Sequence, residues 1–429
     1  MIDLTKITEV HCMGVGGIGM SALARLLMHE GKHVSGCDGV SSQITEALER
    51  EGIVMHSEHN VDHVTEDVQL LVYTAAIDES HPELARAREL GIPTLTYAQM
   101  LGVVSAGKRT VAVAGTHGKT TTTAMIASVL RAAQFDPVVV VGSLLKGFGS
   151  NYLPGKGDLF VVEACEYKRS FLNLNPWIGV ITNIDNDHLE YYGDMEHLIE
   201  AFGDFAARIP ENGYLVCDTH NERLQKVIAC AKCRIVDYSS IEIDLQMQLP
   251  GAHIILDAKA ATAVADIVHV DRSVTKKSLE SFSGTWRRFE KKGVTSTGVI
   301  VYDDYGHHPT EIRATITAAR GYFGTKKIIA VFMPHLYSRT KLLLEDFGAA
   351  FAGADEVVVA DIYPAREPYD STITSQVVAE KITANGVPAM YVGGIDAIVA
   401  YLKEHAVSDN VVMTIGAGDI DKVGMRLLQ

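Results

Sequence analysis

Short apolar runs alternate along the chain with longer stretches that have the composition and spacing of helices. Because buried strands read as short β-branched runs and helices as longer periodic segments, this alternation predicts an α/β fold with mainly parallel sheets. A chain of 429 residues exceeds what one hydrophobic core usually supports, so we expect two or three domains. The predicted strands include Leu70–Thr74, Thr110–Ala114, Leu159–Cys165, Trp177–Asn183, Tyr214–Asp218, Arg234–Tyr238, Val299–Asp303, Lys327–Phe332, Glu356–Asp361 and Val411–Ile415.

The most informative stretch follows the strand Thr110–Ala114, where a glycine-containing turn leads into a predicted helix, Thr120–Ala133. Such a turn presents backbone N–H groups to a phosphate, and the helix dipole adds to the attraction. Lys119 would neutralise the phosphates, and the Thr120 hydroxyl would bind a magnesium ion. Val113 stands where the full P-loop pattern has its first glycine, and the alternative is a glycine-rich turn with an exposed lysine. We predict a nucleoside triphosphate site.

A second glycine turn lies near the N-terminus. Gly14, Gly16 and Gly19 have the G-x-G-x-x-G spacing between a short strand and a helix. Asp38 ends the next strand, about 20 residues past the glycines, where dinucleotide-binding folds place an acid that accepts a ribose hydroxyl. The pattern predicts a diphosphate at a helix N-terminus but fits a nucleotide sugar as well as a dinucleotide. A tight strand–helix turn without a ligand is the alternative.

Two candidate sites follow strands of the predicted central domain, where ligands collect in open α/β sheets. Glu163 ends one strand, and together with Thr120 it would supply the oxygen ligands that magnesium prefers. His188 stands beside Asp187 after another strand. It would lie near a second ion, or it is an ordinary loop histidine.

The third segment begins after a polar stretch, Phe282–Gly293, which we predict to be a hinge. Residues 303–309 and 333–340 both follow strands and should face one cleft. His335 and Arg339 would share a helical face, and arginine is suited to bidentate binding of a carboxylate, as an amino-acid substrate would require. The adjacent histidines of the first stretch are weak evidence for a metal because no third nitrogen or sulfur ligand has helpful spacing.

Charge narrows the classes of partner. The net charge of −15 argues against a general nucleic-acid or anionic-membrane surface. We find no apolar run near the roughly 18 residues that indicate a membrane span. Local basic side chains remain candidates for phosphate binding, namely Lys119, Arg287, Arg288 and Arg339.

Cysteine usage indicates the redox compartment. The six cysteines show no disulfide framework. Cys230 and Cys233 form one CxxC without a second pair, so zinc is weakly supported there. We expect reduced cysteines and a cytoplasmic protein.

Taken in order, these motifs resemble those of the Mur ligases over essentially the whole chain. Each motif alone could arise by chance, but the combination is specific. It consists of Gly14–Ser21, Gly115–Thr121, Glu163–Tyr167, Thr182–Ile184 with Asp187 and His188, Arg287–Phe289, Asp304–Pro309 and Pro334–Thr340. The resemblance implies three domains: a Rossmann-like UDP-sugar domain at 1–107, a central P-loop ATPase at 108–290, and a Rossmann-like domain for the incoming amino acid at 291–429.

The alanine-adding branch of the family is the most similar. It implies that ATP activates the lactyl carboxylate of UDP-N-acetylmuramate as an acyl phosphate, which L-alanine attacks, in peptidoglycan precursor synthesis. A carboxylate is a poor acyl donor until its oxygen becomes a good leaving group, so the protein mainly positions reactants and neutralises charge. The implied cofactors are ATP and Mg²⁺. No nucleic-acid or membrane partner is implied, and the protein would be a monomer or homodimer.

The resemblance also assigns residues to roles. The catalytic residues would be Lys119, His188, Arg288 (reaching the γ-phosphate) and His307. ATP would be bound by Gly115, Thr116, His117, Gly118, Lys119, Thr120, Thr121, Arg288, His253 and Asp257. The metal would be held by Thr120, Glu163 and His188. The UDP-sugar site would comprise Gly16, Gly17, Ile18, Asp38 and Thr74. The alanine pocket would comprise Tyr305, His335 and Arg339.

Two departures from the family pattern bear on these assignments. Ile254 stands on the adenine side where the family usually has a side chain that donates a hydrogen bond. Met195–Ala207 contains no lysine, whereas other Mur ligases carry a carbamylated lysine there, which favours the alanine-adding branch. The alternatives are a murein-recycling ligase that adds a whole peptide, a nicotinamide dehydrogenase, and a non-catalytic nucleotide or UDP-sugar sensor.

Overall fold

Three mainly parallel β-sheets organise the chain, each flanked by helices. The structure is a computed structural model that describes residues 2–146, 149–365 and 367–429. The predicted three-domain α/β architecture is confirmed. Among the described residues, no helix is long and apolar enough to span a bilayer.

The first sheet has five parallel strands in the order β3-β2-β1-β4-β5. Its strands are β1 (Glu9–Met13), β2 (His33–Cys37), β3 (Val54–His56), β4 (Leu70–Tyr73) and β5 (Thr94–Thr96). Its helices are α1 (Ile18–His29), α2 (Gln43–Arg50), α3 (Pro82–Glu89) and α4 (Tyr97–Ala106), with 3-10 turns at Leu4–Lys6 and Val61–His63. The strand order reverses direction between β1 and β4, where open parallel sheets form a ligand crevice.

The second sheet has seven strands in the order β12-β11-β10-β6-β9-β7-β8, and only the β7–β8 pair is antiparallel in its described part. Its strands are β6 (Arg109–Ala114), β7 (Val138–Leu145), β8 (Ser150–Leu153), β9 (Leu159–Glu163), β10 (Pro176–Ile181), β11 (Tyr214–Cys217) and β12 (Arg234–Asp237). The helices are α5 (Lys119–Ala132), α6 (Leu189–Tyr192), α7 (Met195–Ala207), α8 (Glu222–Cys230), α9 (Ala252–Ile267) and α10 (Arg272–Glu280), with a 3-10 segment at Tyr167–Asn173. The central strand β6 leads directly into the glycine turn before α5.

The third sheet has six strands in the order β13-β14-β18-β15-β16-β17. Its strands are β13 (Glu290–Val294), β14 (Ile300–Asp304), β15 (Ile328–Phe332), β16 (Glu356–Ala360), β17 (Ala389–Gly393) and β18 (Val411–Ile415). Its helices are α11 (Pro309–Phe323), α12 (Tyr337–Leu342), α13 (Leu344–Ala349), α14 (Ser375–Ala384), α15 (Ile395–His405) and α16 (Asp421–Leu427). Only β13 runs antiparallel in the described part of this sheet.

The predicted strands are confirmed to within a residue or two at each end, and six strands were not predicted: β3, β5, β7, β8, β13 and β17. All of them except β7 lie at sheet edges, and β13 has the sequence Glu-Lys-Lys-Gly-Val, which carries no apolar run. An edge strand is covered on fewer sides, so burial imposes less pattern on it. Because β13 begins at Glu290, the stretch Phe282–Gly293 that was predicted to be a hinge contains the start of a strand. β7 is strongly apolar and was simply missed.

The chain divides into two compact units. The first comprises Met1–Gln246 and Leu256–Phe282 and holds the first two sheets; the second comprises Met247–Ile255 and Ser283–Gln429 and holds the third. The domain boundaries predicted after residues 107 and 290 stay predictions.

Two close contacts connect the first two sheets within the first unit. Asn151 of β8 is fully buried; it accepts a hydrogen bond from Arg25 of α1 at 2.8 Å and donates to the Ser21 hydroxyl at 2.9 Å. Gly102 of α4 packs directly on the carbonyl oxygen of Asn173, so that a Cβ atom has no room there. These contacts fix the first glycine turn relative to the second.

Gly102→Ala should lower the free energy of unfolding of the first unit by about 1 to 3 kcal/mol, because the added methyl must displace backbone in a packed interface. If the methyl met no such contact, replacing a helical glycine by alanine would raise the free energy of unfolding by up to about 1 kcal/mol. Gly107→Ala is the matched control, since the nearest atom to its Cβ would be the Val104 carbonyl oxygen at 4.0 Å. Urea unfolding of both variants measures the difference. A Gly102→Ala protein as stable as the control would contradict the packing argument.

Candidate functional site

The turn between β6 and α5 has a backbone that requires glycine at two positions. Gly115 has φ of 129° and Gly118 has φ of 80°, both in the left-handed region. A Cβ on Gly115 would collide with the Thr182 hydroxyl, and a Cβ on Gly118 would lie 2.5 Å from Asp257 Oδ1. Gly118 is also the N-cap of α5 and makes no side-chain cap. The first N–H groups of the helix are therefore presented at the turn, as an anion site requires.

A neighbouring loop after β10 holds this turn in place. The Thr116 N–H donates to the Asn183 carbonyl oxygen at 3.0 Å, and the His117 N–H donates to Asn183 Oδ1 at 3.0 Å. The Thr182 hydroxyl donates to the His117 carbonyl oxygen at 2.6 Å. The His117 ring nitrogen Nε2 lies 3.1 Å from Asp185 Oδ2. The turn is thus preorganised by backbone and side-chain hydrogen bonds from one strand end.

Lys119 is folded back over the turn. Its Nζ donates to the carbonyl oxygens of Gly115 at 2.5 Å and Thr116 at 3.0 Å, and it lies 3.0 Å from the Glu166 carboxylate. Burial works against the charged ammonium, but Glu166 and the neighbouring acidic groups outweigh it, so the pKa of Lys119 is raised. Lys119 therefore carries its positive charge at the phosphate turn at any physiological pH. Glu166 was quoted in the sequence motif but given no role.

Thr120 and Glu163 lie in contact. The Thr120 hydroxyl is 3.1 and 3.0 Å from the two Glu163 carboxylate oxygens. The Gly142 N–H donates to Glu163 Oε2 at 2.8 Å and so orients the carboxylate. A hydroxyl and a carboxylate at the entrance to a phosphate turn are hard oxygen donors, the type that Mg²⁺ binds. The predicted pair is brought together.

His188 lies at the same edge of the second sheet. Its Nε2 is 3.9 Å from Glu166 Oε1 and 3.8 Å from Asp187 Oδ2. Its backbone has φ of 59° at the N-cap of α6. This left-handed conformation is uncommon for residues other than glycine. The structure therefore places His188 beside the partner of Lys119, among carboxylates.

The two residues predicted on the adenine side lie in different surroundings. Asp257 is buried in the first unit, where its Oδ1 accepts a hydrogen bond from the Thr122 hydroxyl at 3.0 Å and closely approaches Gly118. His253 belongs to the second unit and lines a cavity of about 600 Å³ there together with Thr310 and Arg313. Burial, aided by Arg288, lowers the pKa of His253 to about 4. His253 is therefore neutral at pH 7.

The N-terminal glycine turn is closed by Asp38. Its Oδ2 accepts from the Gly16 N–H at 2.9 Å, and its Oδ1 accepts from the Val40 N–H at 3.1 Å. Thr74 lies at the end of the neighbouring strand, where its methyl group occupies the space that a Cβ on Gly14 would take. Asp38, expected to accept a ribose hydroxyl, thus also shapes the turn, and its carboxylate keeps acceptor capacity for a ligand.

Gly17 is the N-cap of α1 and makes no side-chain cap. The predicted UDP-sugar residues Gly16, Gly17 and Ile18 therefore surround the start of a helix whose first N–H groups are presented at the turn. All five predicted residues of this site lie at the carboxyl ends of β1, β2 and β4 or directly after them.

Arg287 is buried in the second unit and organises its loops. Its Nε donates to Asp303 Oδ2 at 2.7 Å, and its terminal nitrogens donate to the carbonyl oxygens of Gly418 at 2.7 Å and Gly416 at 2.8 Å. Burial raises the pKa of Asp303, and Arg287 opposes that rise. The prediction of Arg287 as a candidate phosphate ligand is therefore wrong, because the N–H donors of Arg287 are used inside the protein. Arg288 is partly exposed and lies 3.5 Å from Glu311.

The residues predicted for the amino-acid pocket form one cluster in the second unit. The ring centroid of His307 lies 5.6 Å from the ring centroid of Tyr305 and 5.6 Å from that of His335. The Arg339 Nη1 atom lies 3.0 Å from His335 Nδ1. Tyr363, which sequence reasoning did not select, stacks on His335 at 5.8 Å. An isolated tyrosine after β16 carries no local signal that would have found it.

Comparison with known proteins gives matches along the whole chain. Three family models match in order: "Mur ligase family, catalytic domain" at residues 9–109, "Mur ligase middle domain" at 113–248 and "Mur ligase, glutamate ligase domain" at 287–418. The UDP-N-acetylmuramate–L-alanine ligase of Clostridium kluyveri is 42% identical over 450 residues, covering 98% of both chains. The enzyme of the same name from Acetivibrio thermocellus is 40% identical, covering 100% of this chain and 97% of its own.

Solved structures give the same picture. The UDP-N-acetylmuramate-alanine ligase of Thermotoga maritima superposes with a TM-score of 0.82 at 28% identity, covering 98% of each chain. A murein peptide ligase from Psychrobacter arcticus has a TM-score of 0.74 at 22% identity, again over 98% of each chain, which shows a shared fold.

Replacing Arg287 by methionine should lower the free energy of unfolding of the second unit by about 3 kcal/mol or more, because it leaves Asp303 buried without its partner. Arg288→Met is the matched control from the adjacent position; its partly exposed pair with Glu311 should contribute under about 1 kcal/mol. Chemical unfolding of both variants gives the comparison. Equal stabilities would refute the organising role of Arg287.

Proposed function

The chain belongs to the Mur ligase family, and on this premise we propose that it joins L-alanine to UDP-N-acetylmuramate with hydrolysis of ATP. The product is an amide between the alanine nitrogen and the lactyl carboxylate, formed through an acyl phosphate, with release of ADP and phosphate. This is a step in the synthesis of peptidoglycan precursors. The observation that carries the chemistry is the preorganised phosphate turn, Gly115 to Thr121, with a charged Lys119 held at its centre.

The phosphate turn supplies the charge neutralisation that phosphoryl transfer needs. Its backbone N–H groups and Lys119 bind the triphosphate, and Lys119 exchanges its bonds to the turn for bonds to phosphate oxygens. The reactants are negatively charged, so positioning and electrostatic stabilisation dominate the rate. Arg288 is the proposed γ-phosphate ligand, and His253 and Asp257 are the proposed adenine-side residues.

The oxygen donors at the turn fit Mg²⁺. Thr120, Glu163 and His188 are the proposed residues that would hold it. Nitrogen is an uncommon ligand for this ion, and His188 lies beside Glu166 and Asp187. When bound, Mg²⁺ would neutralise phosphate charge. The orientation of Glu163 by the Gly142 N–H serves the same site.

The cluster of Tyr305, His307, His335 and Arg339 is the proposed site of L-alanine. Arg339 is almost fully buried, so its guanidinium would bind the amino-acid carboxylate in a dry pocket where such a bond is strong. His335 fixes the guanidinium by contact at 3.0 Å. His307, next to both, is the proposed residue near the reacting acyl phosphate.

The family membership also supports an assignment of one substrate to each domain. Residues 1–107 would bind the UDP-sugar diphosphate at the start of α1, 108–290 would bind ATP and 291–429 would bind L-alanine. All six cysteines are free, which supports a cytoplasmic location. Whether the enzyme is a monomer or a homodimer stays a prediction. The peptide-adding alternative shares the fold, and the full-length relatives favour L-alanine.

Phosphate release from ATP, with Mg²⁺ and UDP-N-acetylmuramate, tests the reaction. L-alanine should exceed glycine by about 10-fold or more in kcat/KM, because glycine lacks a methyl group that the pocket would bury. L-serine and a peptide beginning with L-alanine are measured alongside. Release with the peptide alone would move the enzyme to the recycling reaction. If none of the acceptors causes phosphate release although ATP binds, the alternative of a nucleotide sensor would be supported.

Arg339→Lys should lower kcat/KM for L-alanine by about 10- to 100-fold, because lysine cannot make the paired bonds of a guanidinium to a carboxylate. The KM values for ATP and UDP-N-acetylmuramate should stay within about twofold. Lys341→Ala, on the same helix and exposed, is the control. A change confined to the ATP dependence would show that Arg339 does not serve the amino acid.

A further inference from the structure

A group of buried polar side chains in the first domain is not used by the reaction. The strand β1 alternates, so that Val10 and Cys12 enter the main core of the first unit while His11 and Met13 face the opposite side of the sheet. His11 pairs in register with Ser35, and Met13 with Cys37, so Cys37 lies on the same side as His11. The helix α3 covers this side and brings Glu83 to it.

Four side chains converge there, and we name the group the Cys37 cluster: His11, Cys37, His59 and Glu83. His11 Nε2 lies 3.9 Å from Glu83 Oε2, and Cys37 Sγ lies 3.3 Å from the same oxygen. His59 Nδ1 lies 3.2 Å from Cys37 Sγ and 3.5 Å from Glu83 Oε1. The donor atoms of His11, Cys37 and Glu83 all lie within 4.8 Å of one another.

Two buried polar atoms of this cluster lack the hydrogen-bond partners that buried groups normally have. His11 and Glu83 are 0% exposed, and neither His11 Nε2 nor Glu83 Oε1 has a hydrogen-bond partner. Within the part of the chain that the structure describes, no lysine or arginine pairs with Glu83. A buried carboxylate oxygen and a buried imidazole nitrogen that lack hydrogen-bond partners are costly, and a cation between them would satisfy both.

Four separations within the cluster are close to those around a tetrahedral ion. Zinc binds cysteine sulfur, histidine nitrogen and carboxylate oxygen at about 2.0 to 2.3 Å, which holds the donors roughly 3.3 to 3.8 Å apart. The separations of Glu83 from His11, Cys37 and His59, and of Cys37 from His59, are 3.9, 3.3, 3.5 and 3.2 Å. His11 Nδ1 lies 2.8 Å from the Ser35 hydroxyl. With a proton on Nδ1 donated to Ser35, the lone pair of Nε2 points into the cluster, the usual outer support for a metal-bound histidine.

His59 provides the entry path. Its side chain is 30% exposed, whereas the side chain of Glu83 is 1% exposed. An ion can therefore reach the buried donors past a partly exposed histidine that then becomes the fourth ligand. The sulfur and nitrogen ligands of the Cys37 cluster also favour zinc over Mg²⁺, the ion proposed for the phosphate turn. Mg²⁺ prefers oxygen donors, whereas zinc accepts sulfur and nitrogen.

We propose that His11, Cys37, His59 and Glu83 bind one zinc ion that stabilises the first domain. On binding, the Cys37 thiol releases its proton to solvent and its sulfur bonds to the metal. Four protein ligands leave no open position, so the ion is structural. It would also fix the end of β2: the Cys37 carbonyl oxygen accepts from the Gly14 N–H at 2.8 Å and the Val15 N–H at 3.2 Å, within the N-terminal glycine turn.

The test uses the full chain without a histidine tag, loaded with Zn²⁺ in the presence of excess Mg²⁺ and then gel-filtered. Elemental analysis should find about one zinc per chain. Cys37→Ser and Glu83→Gln should weaken zinc binding by at least tenfold in a chelator competition. Cys217→Ser is the matched control, because Cys217 is another buried cysteine on a strand end of the same unit. It should retain zinc.

Two measurements avoid dependence on the folding of core variants. Cobalt(II) bound to the wild-type chain should show a thiolate-to-metal charge-transfer band and the visible bands of a tetrahedral site. His59→Gln, at a partly exposed position, should weaken zinc binding, while His33→Gln, exposed on β2, should not. Zinc binding should also raise the melting temperature of the wild type but not of Cys37→Ser.

The proposal is overturned if the loaded chain retains less than about a tenth of an equivalent of zinc, or if cobalt binds without the thiolate band. It is equally overturned if Cys37→Ser, shown to be folded, keeps wild-type affinity. These outcomes are independent of which amino acid the enzyme ligates.

Discussion

The turn at Gly115 and Gly118 approaches its neighbours closely, and the proposed phosphate site depends on this constraint. The space that side chains would fill is occupied by the Thr182 hydroxyl and by Asp257. Glycine allows the positive φ values and also allows that contact. As a result, the turn is held by the strand end after β10 and by α9 at once. Helix N–H groups and Lys119 are thereby fixed before any ligand binds, which lowers the reorganisation needed during phosphoryl transfer.

Buried charge is the second organising element, and it works in two ways. Lys119 faces Glu166 at the turn before α5, so this pair holds a charged ammonium at the proposed phosphate site. Arg287 faces Asp303 and two carbonyl oxygens from the loop after β18, so its charge is used entirely in holding loops. The adjacent Arg288 keeps a partly exposed guanidinium. Neighbouring arginines thus differ in role because one is turned into the domain and the other is not.

The sequence predicted the fold class and most of the strands, because strands buried on both faces must be continuously apolar. It failed at the edge strands β3, β5, β8, β13 and β17, since edge strands are under weaker constraint, and at the interior strand β7. Two pairs that it assigned to common sites, Thr120 with Glu163 and His335 with Arg339, are each brought into contact. It did not predict the role of Glu166 or Tyr363, because their effect arises from packing against residues distant in the chain.

What the sequence determined by itself was the set of strand ends at which polar residues gather, the glycine positions that set the turns, and the family to which the chain belongs. These depend on local patterns of burial and backbone conformation. The tertiary structure alone decided which charges face inward, as at Arg287, and that His11, Cys37, His59 and Glu83 meet. Strand pairing sets that meeting: β1 and β2 are aligned in register, and α3 is laid over them by a later crossover. Such proximity between separate segments leaves no trace in the spacing of any one of them.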